Sequence, residues 1–256
     1  MSFRWFLPEI VIIAIVVAFS VGLHYFVQRR FRPAELRRHN DVAGYLFSAV
    51  GVIYAVLLGF VVVVVWQKYD VTVANVDTEI AAVSDLYRSV GAFSEPARSA
   101  IRADLRAYAD AMVNVEWPHM SQHIVILKDI DLLEDIGHRV DTYPPRNPGQ
   151  ADAHLLAMEQ LERLFDARRE RIAQTAPSIP MILWFALVAG ALAMLAFAYL
   201  FGVENRPAQL AMTAILAGLI AILFTVIAEF DDPFSGSVSI SNSSWLIVQE
   251  HLKQIP

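Results

Sequence analysis

The sequence predicts an all-α, four-span helical integral membrane protein with an extramembrane four-helix bundle inserted between spans two and three. Three observations support this fold class. Hydrophobic residues make up 56% of the 256 residues, and the mean hydropathy of +0.46 exceeds that of ordinary soluble domains. Four uncharged apolar runs are each long enough to cross a bilayer. A polar stretch, residues 67–178, separates the second run from the third.

The first predicted domain, residues 1–66, is a transmembrane hairpin whose spans cover about 10–27 and 42–66. A cleaved signal peptide is the alternative for the first span, because Ala18 and Ser20 provide small residues for cleavage. The arginine-rich loop 28–41 opposes export of this region. We therefore expect an uncleaved membrane anchor.

The second span organises the chain. Val42–Trp66 contains no charged residue in 25 positions, and as a helix it would be about 37 Å long. An apolar line then continues at heptad-like spacing, which predicts one long helix that leaves the membrane and joins the bundle. The members of this line are Val76, Ile80, Val83, Tyr87 and Val90.

Small residues recur along the second span at spacings of four, three, four and four. This spacing places them on one helix face, where another helix can approach closely. We interpret this face either as the surface through which copies of the chain pack in a homo-oligomer or as part of a pore wall. Its members are Gly44, Ser48, Gly51, Ala55 and Gly59.

Within the insert 67–178, a second helix is predicted to begin after Pro96 and to end at Glu116-Trp117-Pro118. A third helix is expected over Ile124–Val140 and a fourth from Ala151 to about Thr175. The apolar line of the second helix is Ala97, Ile101, Leu105, Tyr108, Met112 and Val115.

Charged residues of the insert are expected on solvated faces and in ion pairs between helices. Arg168 lies on the apolar line of the fourth helix, and we expect it to pair with one of the acids. The charged set is Asp77, Glu79, Asp85, Arg88, Arg102, Asp104 and Arg106.

The third predicted domain, residues 179–228, is a second transmembrane hairpin with spans at about 179–201 and 208–228. Residues 229–256 form an acidic exit turn and a tail. Val238 and Ile240 alternate as in a strand, and an amphipathic helix is predicted from about Trp245.

Arginines in the short loops predict the orientation. Loop 28–41 holds five arginines, and Arg206 adds a sixth on the same side. The positive-inside rule then predicts that this loop is cytoplasmic and that the insert and both termini are external. The expected location is the cell (inner) membrane, with several passes through the bilayer.

Composition excludes several functions. The chain has no cysteine, which rules out disulfides and thiolate metal sites, and its net charge of −6 argues against nucleic acid as a partner. Apart from tyrosine hydroxyls, the only titratable group in the spans is His24, which we expect at the membrane interface. A proton relay is therefore disfavoured, and no motif indicates an enzyme.

Two groups of residues could bind a metal. Glu229, Asp231 and Asp232 could bind Ca²⁺, which is the one cofactor that the sequence suggests. The alternative is that these acids form a solvated helix end. Glu116, His119 and His123 would share a face on a continuous helix, but Pro118 argues against that helix, and loop histidines are the preferred interpretation.

Several motifs together resemble those of the bacterial bestrophin-like family. They include the run from His39 to Gly44, the Pro96-x-Arg98 pair and Tyr108. The remaining family-motif residues are Glu79, Tyr87, Arg88, Glu116, Trp117, Pro233, Phe234 and Gly236.

The resemblance implies a function, because the family is distantly similar to bestrophins, which are pentameric anion channels. It implies an oligomeric ion channel lined by the second span. It also implies a Ca²⁺ site after the fourth span, although here the acids precede the Asp232-Pro233-Phe234 turn instead of following it. The alternatives are a non-conducting membrane-anchored sensor or scaffold and, less well supported, a metal-dependent membrane enzyme.

Overall fold

The computed structural model describes residues 7–30, 40–124, 130–203 and 205–254. Regular structure in these ranges is helical throughout, which confirms the all-α prediction. A 3₁₀ turn at Val90–Ala92 follows α2, and a π-helical turn at Met112–Glu116 joins α3 to α4. The helices are α1 (Leu7–Arg30), α2 (Asn40–Ser89), α3 (Ala97–Ala111), α4 (Trp117–Met120), α5 (Ile130–Asp141), α6 (Pro148–Ala173), α7 (Met181–Leu200), α8 (Arg206–Asp231) and α9 (Ser243–Gln254).

Four helices, α1, α2, α7 and α8, are long and apolar enough to cross a membrane, and each overlaps one predicted span, although α2 extends well beyond the second. Helix α2 is continuous from Asn40 to Ser89, as predicted. Its run of valines at 61–65 stays helical, although β-branched residues have low helix propensity.

The chain folds as two compact units. The first holds the described residues of 1–67 and 178–231, and the second holds those of 68–177 and 232–256. The second unit therefore includes α9, which the sequence interpretation had assigned to a separate tail. No strand occurs at Val238 or Ile240; instead, the Ile240 amide donates a 2.8 Å hydrogen bond to the carbonyl of Pro233.

The core of the second unit follows the heptad-like line of α2. Val76, Val83 and Tyr87 are buried, as predicted. Burial of each large apolar side chain contributes about 1.5–3 kcal/mol, so this one helix edge is a major source of stability. The α2 edge packs in one cluster with Ile101, Leu105, Leu133, Ile136, Leu164 and Trp245.

The predicted end of the second bundle helix at Glu116–Pro118 is wrong, because helical structure continues through α4 to Met120. In an α-helix, the Pro118 ring would clash with the carbonyl four residues earlier. The wider π turn comes just before this proline, and in it the Trp117 amide bonds to the Met112 carbonyl. The turn also rotates the register, so Val115, predicted to face inward, is exposed while Glu116 is buried.

The remaining bundle helices differ from the predictions mainly at their ends. Helix α5 is described over Ile130–Asp141, and Ile124, where the predicted helix starts, is not helical; the segment 125–129 lies outside the described residues. Helix α6 begins earlier than predicted, at Pro148, because the Asn147 side chain caps it by accepting a 2.9 Å bond from the Gln150 amide.

Candidate functional site

The second span packs through one face of α2. Tyr54, Leu58, Val61 and Val65 recur at helical spacing and are buried. In the first unit they form one apolar cluster with residues of α7 and α8, namely Leu187, Ala191, Met194, Ile220 and Ile227. This face anchors the span within its own chain.

The opposite face of the span is apolar and uncovered in a single chain. Phe60 is 69% exposed and Ile53 71% exposed, far more than core residues of this size. Exposing so large an apolar surface to water is unfavourable, so we expect lipid or another copy of the chain to cover it. Val52, Val56, Val63 and Val64 extend it.

The predicted small-residue face is only partly used inside one chain. A Cβ built on Gly44 or Gly59 would meet no atom within 4 Å, whereas one on Gly51 would lie 3.4 Å from the Met194 methyl carbon. Ser48 and Ala55 are exposed. Most of this face therefore remains open to a partner or to lipid.

One close helix contact involves a glycine that the sequence analysis did not single out. A Cβ on Gly190 of α7 would overlap the ring of Tyr54. Gly190 therefore lets the aromatic ring lie directly on the α7 backbone. No sequence pattern identified it, because the pattern that we followed was confined to the second span.

An apolar cleft of about 400 Å³ opens beside the small-residue face. Gly51, Ala55 and Gly59 line one wall. Met194, Leu216 and Leu223 are among the residues lining the other. The cleft has the character of a helix-packing surface.

His24 is buried within the first unit. Its expected place at the membrane interface stays a prediction. Its ring Nδ1 lies 2.6 Å from the Thr213 hydroxyl, and its Nε2 lies 3.1 Å from the Gln28 amide nitrogen. Gln28 also donates to Gln209 of α8. The histidine thus belongs to an uncharged polar network within the first unit, which satisfies groups that hydrocarbon would leave unpaired.

Asn40, from the family-like run, joins α2 to the turn after α7. Its side-chain amide donates to the Gly202 carbonyl at 2.9 Å and accepts from the Gly202 amide at 3.0 Å. This reciprocal pair fixes the start of the second span.

The proposed Ca²⁺ ligands each have protein partners. Asp231 accepts hydrogen bonds from the backbone amide and the hydroxyl of Ser178, at 2.8 and 2.5 Å. Asp232 lies 2.6 Å from the Ser235 hydroxyl and 3.0 Å from the His123 ring. Among the described residues, no group of three or more acidic or histidine side chains is arranged to hold a metal ion. Ca²⁺ binding at Glu229, Asp231 and Asp232 stays a prediction.

Several family-motif residues meet in a buried charge network of the second unit, where the sequence analysis expected solvated faces and ion pairs between helices; the pairs between helices are present, but they are buried. Arg171 pairs with Glu79 at 2.6 Å and with Glu116 at 2.7 Å. Arg168 pairs with Glu116 at 2.5 Å, so its partner lies outside the set of acids that we expected. Tyr108 donates a 2.5 Å hydrogen bond to Glu79.

Burial and neighbouring charges set the protonation of this network. Burial, reinforced by the Glu79 carboxylate, holds the pKa of Tyr108 well above its usual value, so its hydroxyl remains a donor. Burial opposes the charged form of Arg171, but Glu79 and Glu116 outweigh it and raise its pKa. Arg171 was not singled out, because a lone arginine in a charged helix segment resembles a surface residue.

The remaining motif residues form a second contact in the same unit. The Trp117 indole donates to the Ile240 carbonyl at 3.0 Å, and its ring packs edge-on against Phe234. Gly236 has a φ of 78°, which favours glycine and follows the turn at Pro233. Arg88 instead lies exposed and pairs with Asp85.

The alternative metal set does not converge. Glu116 binds arginines, His119 lies 2.6 Å from the Val115 carbonyl, and His123 contacts Asp232. The continuous helix required for a shared face ends at Met120, before His123.

Comparisons with known proteins identify the family. The sequence profile of the Bestrophin-like domain matches residues 14–245. A search of curated proteins finds no match. A crystal structure of a bacterial bestrophin homolog from Klebsiella pneumoniae, obtained by Zn-SAD phasing, is 14% identical over 95% of this chain and 100% of its own, with a TM-score of 0.71.

Two single-residue variants of that homolog give similar values. Both have a TM-score of 0.70 and 14% identity, and both matches cover 94% of this chain. The matches cover 99% of one variant chain and 97% of the other. At this identity the structural likeness establishes the fold, while the profile match establishes the family. The chain therefore belongs to the Bestrophin-like domain family.

Proposed function

We propose that this protein is an oligomeric membrane ion channel or pore, anion-permeable, lined by its second span. Family membership supports the proposal, because bestrophins are anion channels. The observation that carries it is the second span itself: residues 42–66 are uncharged, and their outer face is apolar and uncovered in one chain. A pore gated by an apolar constriction needs no ionisable group at membrane depth.

A homo-oligomer would cover this face. Copies of the chain arranged around an axis would bury Gly44 and Gly59, where an added Cβ would meet no atom within 4 Å in the same chain. Exposed apolar residues such as Val56 and Phe60 would then form the pore wall or the contact between subunits.

The second unit, in this proposal, stays outside the bilayer between spans two and three. Its exposed side chains include paired charges such as Arg163–Glu159 and Arg169–Asp166, which suit water. We retain the cell membrane as the location and the arginine-rich loop as cytoplasmic. Residues 31–39 of that loop lie outside the described residues.

Reconstitution tests conduction directly. The purified protein in liposomes is expected to pass halide, measured with an ion-sensitive fluorophore, and K⁺ flux measured in parallel reports selectivity. Absence of both fluxes across a range of pH, Ca²⁺ concentration and voltage would contradict the proposal.

Assembly is tested on the open glycine face. Gly59→Leu should weaken or abolish the oligomer, because a Cβ at this position meets no atom within 4 Å in its own chain and the larger side chain would obstruct an approaching partner. Gly51→Leu is a poorer probe, since Met194 lies against that position in the same chain. Gly22→Leu, at another open position on α1, is the matched control. Native mass spectrometry showing equal oligomers for both variants would remove the small-residue face from the interface.

A non-conducting sensor or scaffold is the second candidate. It is favoured by the separate apolar core of the second unit, which does not depend on side chains of the spans. This candidate predicts ligand or partner binding with no flux.

A further inference from the structure

The apolar cleft of the first unit has an exposed rim and a buried floor. Ala55, Gly59 and Leu219 are exposed, whereas Tyr54 and Met194 are 6% and 7% exposed. Among the described residues that line the cleft, no side chain other than Tyr54 carries an oxygen or a nitrogen. Clefts that hold small-molecule ligands span about 300–1,000 Å³, and this one has about 400 Å³. The cleft is therefore large enough for a small apolar molecule.

The Tyr54 hydroxyl is buried and has no hydrogen-bond partner in the part of the chain that the structure describes. The tyrosine ring lies directly against Gly190 of α7. Buried tyrosine hydroxyls usually have a partner, because an unpaired polar group in an apolar environment costs free energy. A ligand that brings an acceptor to Tyr54 would therefore gain binding free energy there.

Water and lipid headgroups are poor sources of that acceptor. A buried water needs about two to four polar partners, and the described lining offers only the Tyr54 hydroxyl. Tyr54 also stands midway along the uncharged run 42–66, about 18 Å along the helix from either end. The polar groups of lipids lie outside a hydrocarbon core of about 30 Å, so they do not reach this depth.

A second copy of the chain is also a poor source. The exposed face of α2 that would approach carries apolar side chains such as Ile53 and Phe60. The backbone carbonyls of a membrane helix are already bonded within that helix. The acceptor that suits Tyr54 therefore belongs to a molecule that dissolves in hydrocarbon.

We propose that this cleft binds an apolar, membrane-soluble molecule that carries a hydrogen-bond acceptor, such as a ketone carbonyl, and that Tyr54 donates to that acceptor. The apolar lining suits the body of the ligand, and the lack of large side chains at Gly51, Ala55 and Gly59 leaves room for it. The inference relies on the spans lying in a bilayer and does not rely on conduction.

Photolabelling with benzophenone tests the proposal, because this probe is apolar and has one carbonyl acceptor. Under near-ultraviolet light its carbonyl takes a hydrogen atom from a nearby C–H group, and the two carbon radicals then join, so the adduct keeps every atom of both molecules. The full-length protein in lipid nanodiscs is labelled, and peptide mass spectrometry locates the adducts. We expect Met194 to be labelled in preference to Met212, which is 54% exposed on α8.

Removal of the hydroxyl should weaken binding. Tyr54→Phe should raise the benzophenone concentration that half-labels Met194 by about 3- to 10-fold, because one hydrogen bond is lost. Tyr199→Phe is the matched control, since its hydroxyl already lies 2.8 Å from that of Ser20, and it should leave this concentration unchanged. Diphenylmethane has the same two rings without the carbonyl, so its ability to displace benzophenone should be weak and insensitive to Tyr54→Phe.

Thermal unfolding gives a second measurement that needs no labelling. Without the probe, Tyr54→Phe should melt at or above the wild-type temperature, because it removes an unpaired hydroxyl. Benzophenone should raise the melting temperature of the wild type more than that of the variant. A lower melting temperature for Tyr54→Phe without the probe would mean that the hydroxyl already has a partner, and it would overturn the proposal.

Labelling of Met194 that Tyr54→Phe weakens and Tyr199→Phe does not would support the site. Labelling of Met194 that follows that of Met212 in every variant would indicate a lipid chain in the cleft. Labelling of Met212 alone would indicate that a second copy covers it. Either result, or labelling of Met194 that Tyr54→Phe leaves unchanged, would overturn the proposal.

Discussion

Apart from Asp231 at the C-terminal end of α8, the buried polar side chains described in the first unit are uncharged, whereas the second unit buries several formal charges. In the first, Ser20, His24 and Gln28 follow one face of α1 and bond to Tyr199, Thr213 and Gln209. In the second, Glu79 and Glu116 are buried with Arg168 and Arg171. The difference matches the two solvents that we propose, because ionised groups cost far more in hydrocarbon than neutral hydrogen-bonded ones.

The exteriors differ in the same sense. Exposed positions of α1 include Ile12, Ile15 and Phe19, whereas those of α6 include the ion pairs of Arg163 and Arg169. Both the buried and the exposed side chains are therefore less polar in the first unit than in the second. This teaches that the charge pattern of a unit, more than its helical content, indicates the solvent for which it is built.

Removing one charge from the buried network should have the largest effect. Arg171→Met leaves Glu79 and Glu116 with less compensation, and loss of one partner of a buried ion pair costs about 3–5 kcal/mol. We expect a large drop in the unfolding free energy of the detergent-solubilised protein. Denaturant titration, monitored by near-UV circular dichroism, measures this drop. The control is Arg169→Met, whose exposed pair with Asp166 contributes about 0–1 kcal/mol. Equal losses in the two variants would mean that the network is not stabilising.

Close packing in the first unit is expected to give the next largest effect. Gly190→Ala places a methyl group into the Tyr54 ring, and overpacking costs about 1–3 kcal/mol. Thermal unfolding in detergent should show the loss, and Tyr54→Leu in the same chain should restore part of it. Gly22→Ala, where nothing lies within 4 Å, is the control. A wild-type melting temperature for Gly190→Ala would contradict the packing described here.

The uncharged network of the first unit should give a smaller effect. Thr213→Val removes the hydroxyl that lies against His24, and hydrogen bonds between membrane helices contribute about 0.6–2 kcal/mol. Thr225→Val is the matched control, because its hydroxyl bonds only the carbonyl of Ala221 in the same helix. A thermal shift no larger than that of Thr225→Val would indicate that the network does not join α1 to α8.

Acid titration should show the smallest effect. Burial raises the pKa of Asp104 above its usual value, although Arg139 lies 3.0 Å away. The folded state therefore favours the protonated acid, so this group contributes stability below its unfolded pKa and loses it as pH rises through the raised folded pKa. The melting temperature of the wild type relative to Asp104→Asn should fall across that window. A constant or rising difference would contradict the assigned direction.

The helices were predictable where one physical rule dominates. Uncharged runs of sufficient length define the four spans, and the line from Val76 to Val90 identifies the buried edge of α2. The π turn was not predictable, because proline was treated only as a helix breaker, and its register shift turned Glu116 inward.

The candidate site was predictable only in part. The small-residue stripe could be seen in the sequence, yet a tight contact of the same span joins Tyr54, outside the stripe, to Gly190 of another span. The partners of Glu79 and Glu116 come from α6, and side-chain pairing across distant segments leaves no periodic signal in a single sequence.

The most direct test of the proposed function is halide flux through liposomes containing variants of the second span. Val56→Trp and Phe60→Trp enlarge exposed apolar residues of α2, and Ile15→Trp makes a comparable change on the exposed surface of α1. If the second span lines a pore, flux should fall strongly for the α2 variants and remain at the wild-type level for Ile15→Trp. Equal flux in all three variants would contradict the claim that this span lines the conduction path.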